Sequence, residues 1–425
     1  MKIIKGYSQK IDEQFTLRVA NDNDEEIEKI VKLNLNVHGD FLKDIVPRIF
    51  QDHPRKKDTL CFYVEEKYTG QAVSSLVLEP LEWRFDNVIV PSCEMDFVAT
   101  LPQYRGNNFI GLMNELYEQA MKERGFLLTV LRGIPYYYRR FGYEFVFNLD
   151  ERITLMNNMI PDINHEDLRI RKAKEEDLSY IKEKYEEYFH KFFVSNKYEP
   201  VSFKYKFMNE AISEKYFSAY ILEERNTKLS IFFIGVAYDD SGFSLIIPPV
   251  SKLNMNKILL FIKNEFINKQ DKKADETKFC CSTETKFGQY LLRLGGVADP
   301  SYGWQVKIPN LTLFFRHIKS ILEQRIEVSE FKGISRDIKI SDYHEIITLN
   351  FSNGKVIDTK SEVKFSEPGV SDVKIPGPML YKLILSYNSF DEIKFIMKDA
   401  VIKPESKHLI NVLFPKKRSY PESYY

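Results

Sequence analysis

Cysteine is scarce in this chain. Its 425 residues hold four, Cys61, Cys93, Cys280 and Cys281, two of them adjacent. None is spaced as C-x-x-C, so neither a disulfide framework nor a zinc site is expected. Tryptophan is rarer still, at two. The seven histidines form no H-x-x-x-H or H-E-x-x-H pair, which disfavours a metal enzyme. Charge of one sign is not in excess, since Lys plus Arg and Asp plus Glu both number 61. A formally neutral chain exerts no long-range pull on phosphate, so nucleic acid is not an expected partner. Long apolar runs are missing too. The longest, Ile231 to Tyr238, is strand length, whereas a spanning helix needs about 20 apolar residues, so no membrane segment is expected. The N-terminal MKIIKGYSQKID lacks the apolar stretch of a signal peptide. A reducing cytoplasm is the expected setting.

What is present is ordinary globular material, 44% hydrophobic and 29% charged. At roughly 100–200 residues per domain, the length predicts two to four domains. Aromatics reach 14%, read mainly as core filling.

Two segment pairs share one offset. FTLRVA, an Asn/Asp cluster and EEIEKIVKL (Phe15 to Leu33) read as a strand and a capped helix. LRIRKA followed by EEDLSYIKEKY repeats that pattern 153 residues later, with Arg18 matching Arg171 and Asp24 matching Asp177. YYYRRFGY (Tyr136 to Tyr143) and QYLLRLGG (Gln289 to Gly296) obey the same offset, Gly142 matching Gly295. Two distant anchors with one offset predict two copies of one unit. The expected boundaries are 1–158 and 159–307, joined through the polar NNMIPDINHEDL. Residues 308–425 differ. WQVKIPNLTLFFRHIKSILEQRI reads as a strand and an amphipathic helix. EIITLNFSNGKVI reads as two strands around Asn353-Gly354, and MLYKLILSY as helical. The expected class is α+β, mixed α/β.

The segment Glu94 to Phe126, EMDFVATLPQYRGNNFIGLMNELYEQAMKERGF, carries the strongest chemical signal. It reads as a strand, a Pro102 stop, an Arg105-Gly106-Asn107-Asn108 loop, and a helix ending at Gly125. Strand, tight loop and helix start together can hold phosphate, because unpaired backbone N–H groups and the positive helix end face the anion. The same pattern also fits an ordinary strand-loop-helix turn. By two-residue periodicity Glu94, Asp96, Val98 and Thr100 share one strand face, lining a groove or meeting solvent. Tyr136 to Tyr138, read alone, are aromatic strand residues of a core.

V-A-T-L-P-x-Y-R before a helix, with Y-Y-R-R-F-G-Y about thirty residues on, resembles the acetyl-CoA site of GNAT N-acetyltransferases. The whole order of motifs, with WQVKIPN, IPGPMLY and LFPKK in the last third, resembles the Eis (enhanced intracellular survival) acetyltransferases. That resemblance covers essentially all of the chain. It implies tandem GNAT folds, the second degenerate, then a sterol-carrier-like α+β domain. It also implies a cytoplasmic homo-oligomer, often a hexamer, that moves acetyl from acetyl-CoA to a primary amine of a small molecule, peptide or protein in a ternary complex.

Residue by residue, the resemblance implies that the pantetheine arm pairs with Val98, Ala99 and Thr100. The pyrophosphate would sit on Arg105, Gly106, Asn107, Asn108, Phe109 and Ile110. The family loop is R/Q-x-x-G-x-G/A; here Asn108 stands at the Gly position and Ile110 at the Gly/Ala position. Asn visits left-handed backbone more readily than most residues and keeps its N–H, but its side chain occupies space that Gly leaves open. Tyr138 is the implied general acid. The base is the C-terminal carboxylate of Tyr425 or the strand residue Glu94. No metal is implied. In the second copy Leu291 replaces the acid, and NMNKILL replaces the loop. A non-catalytic acyl-CoA- or lipid-binding protein is the alternative reading.

Overall fold

Ser8–Lys10 (β1) and Phe15–Val19 (β2) open the chain as an antiparallel pair. Helix α1 (Asp24–His38) follows, and the Asn23 side chain accepts from the Glu26 N–H at its start. Ile27, Ile30 and Leu33 on α1 are buried at helical spacing. After the short α2 (Ile45–Gln51) come β3 (Leu60–Glu66), β4 (Gln71–Phe85) and β5 (Val88–Thr100). Helix α3 (Phe109–Arg124), β6 (Leu128–Leu131) and β7 (Glu144–Leu149) complete this series. The computed structural model describes residues 2–21, 23–43, 45–149, 151–207, 218–227, 230–239, 242–245, 251–269, 275–363 and 369–422.

Among the described residues, β1 to β6 lie side by side in chain order, and the strand Tyr302–Lys307 stands between β6 and β7. The strand Val194–Asn196 adds to β4 at Trp83 to Phe85. This sheet belongs to a compact unit made of Met1–Phe147, His190–Lys197 and Trp304–Tyr424. The same unit holds a five-stranded sheet built from Arg336–Ser341, Glu345–Ser352, Lys355–Val363, Val373–Lys374 and Val401–Ile402. Its hairpin turns at Asn353 and Gly354, both with positive φ (47° and 75°), as the dipeptide predicts. The segment expected as one amphipathic helix is two, Leu311–His317 and Lys319–Glu327.

A second compact unit comprises Asn148–Phe189 and Tyr198–Gly303. Its strands run Leu168–Lys172, Ser218–Glu224, Ser230–Asp239, Gly242–Leu245, Glu276–Cys280, Arg152–Met156 and Val297–Asp299 across one sheet. Here Gly242–Leu245 and Glu276–Cys280 are parallel, and Arg152–Met156 separates Glu276–Cys280 from Val297–Asp299. The first sheet has the same plan. There β5 and β6 are parallel, and a strand from a distant part of the chain separates β6 from β7. The offset of 153 carries β2 onto Leu168–Lys172 residue for residue, and Gly142 and Gly295 both adopt positive φ. In this unit Leu291 is buried in the helix Lys286–Arg293. No helix is long and apolar enough to cross a membrane among the described residues.

Candidate active site

The parallel strands β5 and β6 pair only as far as Glu94 opposite Val130. Beyond that point, among the described residues, no strand pairs with β5 on the β6 side. On its other edge β5 carries an extra residue: Val77 opposes Asp96, but Ser75 opposes Ala99. This is a β-bulge, with Phe97 at φ 45°. The Ser75 hydroxyl donates to the Phe97 carbonyl (3.0 Å), and the Asp96 carboxylate accepts from the Phe97 N–H (2.7 Å). The extra residue changes the alternation. Glu94 and Asp96 stay on the face of Val77, while Thr100 meets Ser74 on the opposite face (2.7 Å between hydroxyls). The expectation that Glu94, Asp96, Val98 and Thr100 line one face is therefore corrected.

Glu94 is not at the surface; it is 1% exposed. Register sets Glu79 of β4 directly opposite, and carboxylate oxygens of Glu79, Glu94 and Asp96 lie within 4.8 Å of one another. Oxygen donors of this kind suit a hard cation, but here a side chain supplies the positive charge. Arg132, just past β6, donates from Nε to Glu94 (2.7 Å) and stands 3.5 Å from Asp96. Burial opposes the charge on Arg132, yet Glu94, Asp96 and Glu79 hold it protonated. Burial raises Asp96 above the usual carboxylate range against the pull of Arg132. Behind Glu79 lies His53, fully buried, with Nε2 3.4 Å from Glu79. Its Nδ1 accepts from the Arg55 N–H (3.0 Å), which puts the imidazole proton on Nε2. Burial and nearby Arg55 push this histidine down to about 3.

Tyr138 lies on a short 3-10 turn, Tyr137–Phe141, not on a strand as its aromatic neighbours suggest. Two features set the turn. Tyr137 N–H bonds the Pro135 carbonyl (2.9 Å) across Tyr136, whose φ of 70° makes a γ-turn. Gly142 then closes the turn with φ 85°. The Tyr138 ring is buried to 6% exposure and packs near Tyr143. Its ring covers the backbone of Gly133, two residues past the end of β6, and Gln305 Nε2 donates to the Gly133 carbonyl (2.9 Å). Behind it runs a buried chain of hydroxyls: Tyr143 to Thr129 (3.1 Å), Thr129 to Tyr117 (2.6 Å), and Tyr117 to the Cys93 thiol (3.4 Å). Burial pushes that thiol up to about 12.

The loop between β5 and α3 has the expected form. A 3-10 turn (Pro102–Tyr104) stops the strand, Gly106 takes φ 90°, and Asn108 takes a left-handed conformation (φ 57°, ψ 23°). Most L-residues there cost about 1–2 kcal/mol; Asn is among the exceptions. The Asn108 side chain makes no capping bond to α3, which leaves first-turn N–H groups suited to an anion. Arg105, Gly106, Asn107 and Asn108 are exposed, Ile110 is half-buried, and Phe109 turns into the core against Phe15 (4.9 Å between ring centroids). Val98 accepts a hydrogen bond from His38 through its carbonyl, and Ala99 is buried opposite Ser75.

Tyr425 lies outside the described residues. The described chain up to Glu422 is anchored by hydrogen bonds. Tyr420 N–H bonds the Val194 carbonyl (2.8 Å), and Asn196 pairs with both backbone groups of Glu422 (2.8 and 3.0 Å). Trp83 Nε1 donates to the Glu422 carbonyl (3.0 Å). Trp83 packs edge-on against Trp304 (5.3 Å), and Arg132 stacks over Trp304 (5.4 Å).

Residues 18–146 match the family model described as the acetyltransferase (GNAT) domain. The chain carries a GNAT acetyltransferase domain. It is an enzyme of the N-acyltransferase class, and the cleft, loop and Tyr138 turn all fall inside this domain. Solved structures agree on the fold. A conserved protein of unknown function from Enterococcus faecalis V583, described as a probable N-acyltransferase, has a TM-score of 0.69 at 14% identity. That match covers 97% of this chain and 100% of the other. Eis1 from Mycobacterium abscessus reaches 0.58 at 11% identity, with the same coverage. N-myristoyltransferase of Saccharomyces cerevisiae with bound myristoyl-CoA reaches 0.51 at 12% identity, over 71% of this chain and 85% of the other. No curated protein matches the chain by sequence.

Sequence reasoning missed Arg132, Glu79, His53 and Gln305. Arg132 has a weak local signal, an Arg before Gly at a strand end. Glu79, His53 and Gln305 have none, because only strand register and packing bring them to the site.

Proposed function

We propose that the GNAT domain transfers acetyl from acetyl-CoA to a primary amine by direct attack within a ternary complex. The observation that carries this reading is the divergence of β5 and β6 beyond Glu94 and Val130. An extended pantetheine arm can pair with Val98 to Thr100 in that gap, its pyrophosphate lying on the uncapped start of α3. The acetyl group then lies towards the end of β6, near the Gly133 backbone that the Tyr138 ring covers. The CoA would supply a thioester whose thiolate leaves as the amine attacks.

In this reading Tyr138 donates the proton to the departing thiolate. The incoming amine must lose a proton to attack. Glu94 is held by Arg132, which makes it a weak base, so we assign proton removal to the Tyr425 carboxylate. Support comes from the anchoring of Glu422, three residues earlier and two ring contacts from Arg132. Three residues extend about 10 Å. Glu79, Glu94 and Asp96 outnumber Arg132 and so favour an ammonium-bearing acceptor. Direct transfer also suits Cys93, whose buried thiol stays protonated and is no nucleophile. The acceptor is read as a small-molecule, peptide or protein amine, and the assembly as a cytoplasmic homo-oligomer.

The three-module reading, 1–158, 159–307 and 308–425, draws support from the three sheets, with strands exchanged at its boundaries: Arg152–Met156 joins the second sheet, and Val194–Asn196 and Tyr302–Lys307 join the first. The shared strand plan of the first two supports their duplication.

The test is thiol release from acetyl-CoA over a panel of amines. Amine-dependent release is expected, with Tyr138→Phe and deletion of the last two residues each slowing it. If both variants turn over like the parent, the assignment is wrong. Binding of CoA without turnover on any amine would leave the acyl-CoA-binding alternative standing.

A further inference from the structure

Asn108 stands where the family loop has glycine, and the chain has a glycine three residues later. Gly111 lies in the first turn of α3. A Cβ added at Gly111 would overlap the Asn108 amide. It would fall 2.8 Å from both Cγ and Nδ2 and nearer still to Oδ1. The Asn108 side chain therefore lies back along the helix, in the space a side chain at 111 would fill. A helical Cβ at 111 would point towards the N-terminus, where the Asn108 side chain lies. Asn108 makes no capping bond to α3, so its amide is not held over the first-turn N–H groups.

We propose that Gly111 is an affinity-determining residue for the CoA pyrophosphate, acting through Asn108; this rests on the reading of the α3 start as the CoA site. Glycine in the first turn gives the Asn108 amide a place to lie, which keeps the mouth of the loop open. A side chain at 111 drives that amide off the helix and over the N–H groups that the pyrophosphate needs. The substitution of glycine in the motif is thus matched by a glycine one turn along the helix.

The test is a four-protein cycle, with CoA and acetyl-CoA as the probes in titration calorimetry on the full chain. Gly111→Ala is expected to weaken CoA binding by about ten-fold, the loss of one hydrogen bond to a charged group. Asn108→Gly is expected to bind at least as tightly as the parent. In the double variant the alanine is expected to cost nothing, because the amide it displaces is gone. Alanine favours helix over glycine, and the displaced group is an exposed side-chain end, so Gly111→Ala is expected to fold. Circular dichroism melting of all four proteins checks that, and the double variant controls for any effect of alanine alone.

Three results overturn the inference. Gly111→Ala binds CoA like the parent; or it weakens binding equally with and without Asn108; or Asn108→Gly itself loses affinity, which would make the Asn108 amide a ligand. If the parent binds neither CoA nor acetyl-CoA, the CoA reading falls, and this inference falls with it. Parent binding with an additive cycle sinks this inference alone.

Discussion

The Tyr138 ring lies on the backbone of Gly133, so closely that a Cβ at 133 would come within 2.7 Å of ring carbon Cδ2 and nearer to Cε2. Gln305 holds the Gly133 carbonyl from the other side. The candidate acid therefore rests on a peptide whose position is set by a strand distant in sequence. Gly133→Ala is expected to move the ring and lower kcat with little change in acetyl-CoA Kd. Tyr138→Phe keeps the ring and removes the proton, with an expected loss of about 10²–10⁴-fold in kcat. Steady-state kinetics beside calorimetry separate the two effects.

Arg132 neutralises part of a buried acidic cluster. Removing it leaves Glu94 and its neighbours buried without that charge. Arg132→Met is expected to cost about 3–5 kcal/mol of stability, the usual result of breaking a buried pair from one side. Urea unfolding measures it. Adding Glu94→Gln to Arg132→Met is expected to recover part of the loss; a further drop of equal size would show that the two side chains do not act as a pair.

His53 gives the unit a direction of pH dependence. Its folded value, about 3, lies below the 6.5 of a free histidine. The unfolded chain binds a proton between those values and the folded chain does not, so stability rises with pH across that window. The contribution is complete above about 6.5 and is lost as pH falls towards 3, amounting to about 5 kcal/mol in total. His53→Gln is expected to flatten this part of the stability–pH curve, measured by denaturant midpoints from pH 4 to 7.

Cys93 and Cys281 are buried, and burial pushes both thiols up to about 12. Neither is expected to react with iodoacetamide at pH 8 while the protein is folded. Peptide mass spectrometry after brief labelling, native and in denaturant, checks this. Labelling of native Cys93 would reopen a route through a thioester on the enzyme.

Asn196 clamps both backbone groups of Glu422, and Trp83 adds a third bond. If the Tyr425 carboxylate takes the amine proton, Asn196→Ala and deletion of the last two residues weaken the same step. Their effects on kcat are then expected to be non-additive, and the acidic limb of the pH profile to move in both, because a base works only when deprotonated. Fully additive losses would separate the clamp from the terminus.

The physics of short segments made much of the site legible. Pro102 stops a strand, Asn108 accepts left-handed backbone, Gly125 ends a helix, and Asn353-Gly354 turns a hairpin. Each outcome depends on a residue's own backbone preferences within a few positions, so reading the residues in order suffices. The strand with its Arg-bearing loop was legible for the same reason, whereas Tyr138 was singled out only by the family resemblance and its residues alone read as strand.

Other features were decided only when distant segments paired. The bulge at Phe97 arises from the register of β4 on β5, and it reverses the face on which Thr100 lies. Two-residue alternation could not foresee that, because nothing local in EMDFVAT announces the extra residue. Glu79 meets Glu94 by the same register, and Arg132 neutralises them from the end of another strand. Gln305 reaches Gly133 because Tyr302–Lys307 enters the sheet beside β6. Such neighbours lie tens to hundreds of residues apart and share no local signal. Scarce cysteine and balanced charge set expectations against whole classes of chemistry at the outset. Whether a carboxylate meets water or an arginine depended on backbone pairing across the whole sheet.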